Sequence, residues 1–267
     1  MKSLRIVFWN TQKKAANISL ILQYAKNNDV DIVALCEAKS IEMVDSDYVY
    51  YAGTGYEDNG IALYAKKSIK LYCTREHKRF ISFRIESPIA CNLVVVHLNS
   101  ELSRSADRYR DADVDEIKQA LLTEEFKYKD KNSLVIGDVN ENLFDRHLTE
   151  LHGFNVRYFR FQMESGVEKR HGNEYDLFYS PLLQAYKDNE NKNEGKGTYY
   201  FENEALGWLC YDQVLMKAPL VPLFDEQQFE ILQSLTPTIN LVENNRPVIE
   251  YSDHLPIKIG FKWKEAL

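Results

Sequence analysis

The chain is poor in the residues that staple small folds. Its four cysteines, Cys36, Cys73, Cys91 and Cys210, are widely scattered with no Cys-x-x-Cys pair, so neither a zinc site nor a disulfide framework is suggested. Three of them sit in strand-like runs and are expected as buried thiols. No stretch approaches the ~18 to 20 apolar residues of a membrane span, and no motif recurs at a fixed period, so neither a membrane helix nor a solenoid is expected. The run Ile6-Val7-Phe8-Trp9 is too short for a secretory leader and enters a strand pattern at once, so a cytoplasmic location is expected. Positive charge is in deficit as well: 33 Lys and Arg stand against 40 Asp and Glu, a net charge of −7. That balance argues against a surface coated for tight, indiscriminate nucleic-acid binding. It leaves open a site that gathers carboxylates around a metal, because such a site is acidic until the metal binds. Apolar residues are plentiful: at 45% of 267 residues they support a sizeable core, and a single α/β domain over 1–267 is expected.

Strand and helix patterns alternate from the start. Leu4 to Trp9 reads as a strand handing over to Asn10-Thr11-Gln12. Ile18, Ile21, Leu22 and Ala25 then fall at i, i+3, i+4 and i+7, one face of a helix. Asp31 to Cys36 is a near-continuous apolar strand of the kind buried on both faces, and it ends on Glu37. This order suggests a right-handed crossover that carries Asn10 and Glu37 to one sheet edge. Short strands follow at Tyr48 to Tyr51, Gly60 to Ala65, Ser68 to Cys73 and Phe80 to Ile85, with turn signals at Gly53-Thr54-Gly55 and Glu57-Asp58-Asn59-Gly60. The strand Asn92 to Val96 runs into His97. Glu101 to Asp113 reads as a charged loop holding Arg104, Arg108 and Arg110, either a solvated helix approach or contacts for substrate phosphate. A helix follows with Val114, Ile117, Leu121, Leu122 and Phe126 on one face. Asp145 to His152 is expected as a short helix closed by a C-cap at Gly153. Regular signals weaken from Asn155 to Trp208, with an exposed loop from Lys187 to Gly197. Tyr211 to Met216 is a strand, Asp225 to Leu235 is expected as a helix, and Leu255 to Phe261 is a terminal strand preceded by Ser252-Asp253-His254.

The centre of the pattern is Gly137-Asp138-Val139-Asn140. It follows the apolar Ser133-Leu134-Val135-Ile136, so a strand delivers a carboxylate and a carboxamide, two positions apart, to the rim of a sheet. Gly-Asp-x-Asn is also a good turn, and both readings stand at this point. Asn10, Glu37, His97, Asp138, Asn140, Asp212, Asp253 and His254 all stand beside sheet strands. Hydrolysis of a phosphate ester needs such a set: a divalent cation neutralises the oxygens that repel incoming hydroxide and steadies the leaving alkoxide. Mg2+ and Mn2+ prefer hard oxygen donors, which Glu37, Asn10 and Asp253 supply. A His held by a carboxylate takes the water's proton or stabilises developing charge, and Asp212 is placed to orient His254.

Trp9-Asn10, the strand ending in Glu37, Val96-His97-Leu98, Ile136-Gly137-Asp138-Val139-Asn140, Tyr211-Asp212-Gln213-Val214 and Ser252-Asp253-His254-Leu255-Pro256 together resemble, in order and spacing, the signature of the endonuclease/exonuclease/phosphatase superfamily, with its DNase I-like fold. The resemblance runs from residue 4 to about 260. It implies a four-layer α/β sandwich, two central mixed sheets flanked by helices, with the site at one end. It also implies roles: Asn10 and Glu37 at the metal, Asp138 and Asn140 beside the nucleophile and phosphate, His97 and His254 at phosphate oxygens, Asp212 behind His254, and Asp253 at or beside the metal. Whether Asp138 or His254 takes the water's proton is left open by the resemblance. Gln12 stands where some family nucleases carry an Asp ligand.

The superfamily hydrolyses DNA, RNA, nucleotides, phosphoinositides and sphingomyelin, so the fold leaves the substrate open. Leu209-Cys210-Tyr211-Asp212-Gln213-Val214 lacks the Trp-Cys-Asp-Arg pattern of inositol polyphosphate phosphatases, and His97 stands where abasic-site repair enzymes carry Tyr. The expectation is an Mg2+- or Mn2+-dependent phosphodiesterase acting as a nuclease on DNA or RNA, with Arg104, Arg108 and Arg110 as phosphate contacts. The alternatives are a phosphomonoesterase for a small phosphorylated metabolite or lipid headgroup, and a non-catalytic binding module of the same fold.

Overall fold

The structure, a computed structural model, describes residues 2–38, 46–52, 60–100, 106–186, 197–203, 205 and 207–263. Two mixed sheets form its centre. In the first, β1 (Lys2–Asn10) pairs in parallel with β2 (Ile32–Cys36), and the helix Ala15–Asn27 makes the crossover between them. The strand Ile257–Trp263 pairs antiparallel on the other side of β1. β3 (Tyr48–Ala52) and β4 (Ala62–Lys66) extend the sheet beyond β2, and Glu230–Ile231 closes the opposite edge.

The second sheet has seven strands. β5 (Lys70–His77), β6 (Phe80–Ser87) and β7 (Cys91–His97) form an antiparallel run, and β7 pairs in parallel with β8 (Ser133–Asp138) across the helix Ala106–Tyr128. Asp212–Lys217, Phe178–Tyr179 and Val156–Arg157 follow beyond β8. The period-two alternation of β1 assigns its faces. Leu4, Ile6 and Phe8 join the main core with both sheets, whereas Val7 and Trp9 pack with Ile18, Ile21, Leu22 and Ala25 of the first helix. This is the expected α/β sandwich of two central mixed sheets with helices outside.

Gly137 fixes how closely β7 and β8 approach. Its φ is +150°, and a Cβ there would lie 2.1 Å from the Val96 carbonyl oxygen. Only glycine lets the two strands keep the register that sets His97 opposite Asp138.

Several expectations change. The charged stretch expected as a loop to Asp113 is helical from Ala106, because its charges find partners: Arg110 pairs with Glu141, and Asn99 Nδ2 donates to Asp113 Oδ2 at 3.4 Å. Of that helix's expected apolar face, Val114, Ile117 and Leu121 are buried, but Leu122 and Phe126 are 44% and 88% exposed. At 3.6 residues per turn they point roughly 80° and 120° away from Val114. Asp225 to Leu235 is not a helix. Asp225 caps a single 3-10 turn, Glu226–Gln228, after which Ile231 pairs with Ile257 and Leu232 N–H donates to the Pro256 carbonyl at 2.8 Å. The terminal strand thus takes the backbone groups a helix would have paired internally. The helix Arg146–Thr149 ends in extended backbone at Glu150, and Gly153 is no left-handed cap. A Cβ there would meet the His147 carbonyl oxygen at 2.1 Å. The weak signals from Asn155 to Trp208 correspond to elements of two to five residues. Cys36, Cys91 and Cys210 are buried and Cys73 is exposed, all as free thiols. The turn signals at 53–59 and the loop at 187–196 lie outside the described residues. Among the described residues no helix is long and apolar enough to cross a membrane.

Candidate active site

The parallel and antiparallel registers bring the strand-end residues to one edge. Asn10 is the last residue of β1 and lies opposite Cys36, whose next residue is Glu37. His97 and Asp138 end β7 and β8 opposite one another, and Asp212, the first residue of its strand, also lies opposite Asp138. His254 precedes the terminal strand and spans the two sheets: its Nδ1 is 2.8 Å from Asp212 Oδ2 and its Nε2 is 3.8 Å from Asp138 Oδ2.

Asp138 is the hub. Its Oδ1 accepts the Asn140 backbone N–H at 3.0 Å, and its Oδ2 accepts Asn10 Nδ2 at 2.9 Å. Asn140 sits at φ +54° with its Nδ2 on the Leu98 carbonyl at 2.9 Å. Gly-Asp-x-Asn is therefore a turn and part of the cluster at once. Asn10 also donates to Glu37 Oε1 at 3.3 Å, while its Oδ1 accepts the Gln12 backbone N–H at 3.0 Å. That bond orients the carboxamide so that its protons face the two carboxylates. Glu37, at φ +45°, is held by its carbonyl, which accepts Thr11 Oγ1 at 2.9 Å and Lys13 N–H at 2.8 Å. His97 Nε2 stands 3.6 Å from Glu37 Oε1.

Burial and like charge set the electrostatics. Loss of water raises the Asp138 pKa, Asp212 adds to the rise, and His254, His97 and Asn10 oppose it. Burial alone would lower His254, yet Asp212, Asp138 and Asp253 outweigh it and push the imidazole up to about 10. His254 is thus a held imidazolium at neutral pH. Its ring packs on Tyr199 at 4.6 Å, and Tyr199 stacks on Tyr211 at 4.9 Å and 13°.

Three arginines were expected near substrate phosphate. Arg104 lies outside the described residues, and Arg108 lies on the helix Ala106–Tyr128. Arg110 is an internal residue: fully buried, it pairs with Glu141 at 2.8 Å and donates Nε to the Asn99 carbonyl at 3.0 Å. It is not on the surface where a phosphate would meet it. Asp253 is half-exposed, and its carbonyl accepts Tyr200 N–H at 3.2 Å.

Among the described residues two side-chain groups have ligand atoms within 4.8 Å of one another: Cys36 with His97 and Asp138, and Asp138 with Asp212 and His254. Asp253 belongs to neither. Cys36 was not singled out in the sequence, although its place one residue before Glu37 on an inward-facing strand was a usable signal. Burial and the neighbouring Asp138, Asp212 and Glu37 hold its thiol well above the usual range. Ser252 was also missed. Its Oγ donates to the Asn10 carbonyl at 2.9 Å and accepts His254 N–H at 3.1 Å, tying the segment before the terminal strand to the end of β1 at the site.

The donor set fits a hard divalent cation. Glu37, Asp138 and Asp212 crowd one edge against the imidazolium of His254, and among the described residues Asp212 Oδ1 is buried without a hydrogen-bond partner.

The sequence matches the model of the Endonuclease/Exonuclease/phosphatase family over residues 7–254. No curated protein matches it. Among solved structures, the endonuclease domain of TRAS1, a telomere-specific non-LTR retrotransposon, is similar with a TM-score of 0.59 at 10% identity, over 97% of this chain and 98% of that one. The catalytic domain of human Nocturnin, with bound sulfate, gives 0.58 at 16% identity over 98% and 95%. The 3' phosphatase NExo from Neisseria, bound to a product DNA hairpin, gives 0.55 at 15% identity over 97% and 100%. At such identities the likeness speaks for the fold.

Proposed function

The chain belongs to the endonuclease/exonuclease/phosphatase family, a family of nucleases and phosphatases, and from that premise we propose that it is a divalent-metal-dependent phosphodiesterase that cuts DNA or RNA. The observation that carries this reading is the junction of Asp138 with the Asp212–His254 pair at the edge where both sheets end. In the proposed reaction a water oxygen forms a bond to phosphorus as the bond to the leaving alkoxide breaks in line with it. Asp138 takes the water's proton: it is buried, its pKa is raised toward neutrality, and its orientation is fixed by Asn10 and Asn140. His254, kept cationic by Asp212, donates from Nε2 to a phosphate oxygen where charge develops. His97 supplies a second donor beside it. Glu37 would hold the metal, with Asn10 next to it. When bound, Mg2+ or Mn2+ supplies Lewis-acid neutralisation of phosphate charge.

The test is a panel of single-stranded DNA, duplex DNA, RNA, a generic phosphodiester and a phosphomonoester, each with Mg2+, Mn2+ and chelator. Metal-dependent cutting of a polymer is expected. Release of inorganic phosphate from monoesters with every polymer intact would replace this reading with a phosphomonoesterase.

A further inference from the structure

The acidic chain poses a problem for any nuclease: charge alone gives little grip on a polyanion, and Arg110, a candidate phosphate contact, is spent inside the fold. The exposed aromatic residues supply an alternative. We propose that Phe144, Phe159 and Phe161, joined through Tyr158, form a stacking platform for unpaired bases of a single-stranded nucleic acid, reached from the turn that carries Asp138. The proposal deepens the nuclease reading and rests on it for the identity of the polymer.

The platform grows out of the active-site turn. Phe144 is six residues beyond Asp138 on a loop pinned at each step. Asn140 N–H bonds Asp138, Asn142 Oδ1 accepts Cys210 N–H at 2.9 Å beside Tyr211 and Asp212, and Asn142 N–H bonds Asp145 Oδ2 at 2.7 Å. Phe144 itself sits at φ +71°, a backbone region that a bulky residue rarely occupies, with its ring 61% exposed. Its N–H donates to Tyr158 Oη at 3.1 Å and its ring meets that of Tyr158 at 4.8 Å. A strained, rigid loop thus presents an aromatic face to solvent.

From Tyr158 the surface continues. Tyr158, Phe159 and Phe161 line one cavity of about 290 Å³ together with Arg160. The rings of Phe159 and Phe161 are 5.8 Å apart and within 24° of parallel, and they are 53% and 71% exposed. Near-parallel exposed faces suit flat bases, and stacking tolerates any base because each has a π-face. Bases inside a duplex already stack on one another and leave only edges, so the platform selects unpaired strands. The contacts that run from Asp138 along its loop to Phe144 and Tyr158 favour a nucleic acid over a protein partner for the same patch.

The test separates binding from cutting. A 2-aminopurine-labelled single-stranded oligonucleotide is titrated with the full-length protein in chelator, alongside an abasic strand of equal length carrying the same phosphates. The wild type is expected to quench the label and to bind the base-containing strand at least about tenfold more tightly than the abasic one, since stacking on one ring is worth that much. Phe144→Ala and Phe161→Ala should each weaken that preference and together remove it, while hydrolysis of a small phosphodiester stays at the wild-type rate. Equal binding of both strands, or a double variant that binds like the wild type, would overturn the platform. If the base preference depends on these rings but no polymer is cut with metal, the nuclease reading falls and the binding site stands. If polymers are cut equally well by wild type and double variant, the platform falls and the nuclease reading stands.

Discussion

His254 owes its charge to its neighbours, and this makes Asp212 the most informative single residue. Asparagine at 212 keeps the shape and a hydrogen bond to Nδ1 but removes the carboxylate that outweighs burial. Asp212→Asn is therefore expected to lower kcat/KM by about a hundredfold or more at neutral pH with the circular dichroism unchanged. Wild-type turnover in that variant would show that the imidazolium has no part in the reaction. A second buried cluster sits just behind the site: Glu141 accepts from Arg110 and from both the main chain and the ring of His147. The bond to Glu141, aided by Asp111 and opposed by burial, raises the His147 pKa above its ordinary 6.5. Its stabilising effect is complete below about pH 6.5 and fades as pH rises through the folded-state value. Between pH 6 and pH 9 the melting temperature of the wild type should fall by about 2 °C or more beyond that of His147→Gln. Parallel curves would remove His147 from the account. The sequence pointed to Asp138, His97, Asp212 and His254 because each ends or precedes an apolar run. It could not assign Arg110, whose partner Glu141 lies 31 residues away and is brought there only by the fold.

At the level of elements, the edge where β7, β8 and Asp212–Lys217 meet does the positioning. Gly137→Ala would put a methyl group 2.1 Å from the Val96 carbonyl and part the strands that hold His97 opposite Asp138. A loss of about 3 kcal/mol or more in urea unfolding is expected, together with a disproportionate loss of activity. A variant as stable as the wild type would mean that the two strands have slack. The long strands were legible because period-two and continuous apolar runs are direct readouts of burial. Asp225 to Leu235 was misread because Phe229, Leu232 and Leu235 share a helix-like spacing, and only the pairing of Ile231 with Ile257 settles the matter in favour of strands. The aromatic surface of Phe144, Phe159 and Phe161 carried no periodic signal, since it is assembled from a loop and a 3-10 turn.

Over the whole molecule, a net charge of −7 and an acidic site predict weak electrostatic attraction to nucleic acid. Cleavage should therefore depend only shallowly on salt, with a slope corresponding to few neutralised phosphates. A steep slope would point to a local basic face and contradict this reading. The central claim is that this edge, with a bound divalent cation, hydrolyses a phosphodiester bond. The measurement that bears on it is the rate of cleavage of a single-stranded oligonucleotide by the wild type, by Asp138→Asn and by His254→Ala, in Mg2+, after chelation and after Mg2+ is restored. The wild type should cut, stop on chelation and recover, and each variant should be slower by about a hundredfold or more in kcat. Cleavage that persists in chelator, or that both variants carry out at the wild-type rate, would contradict it.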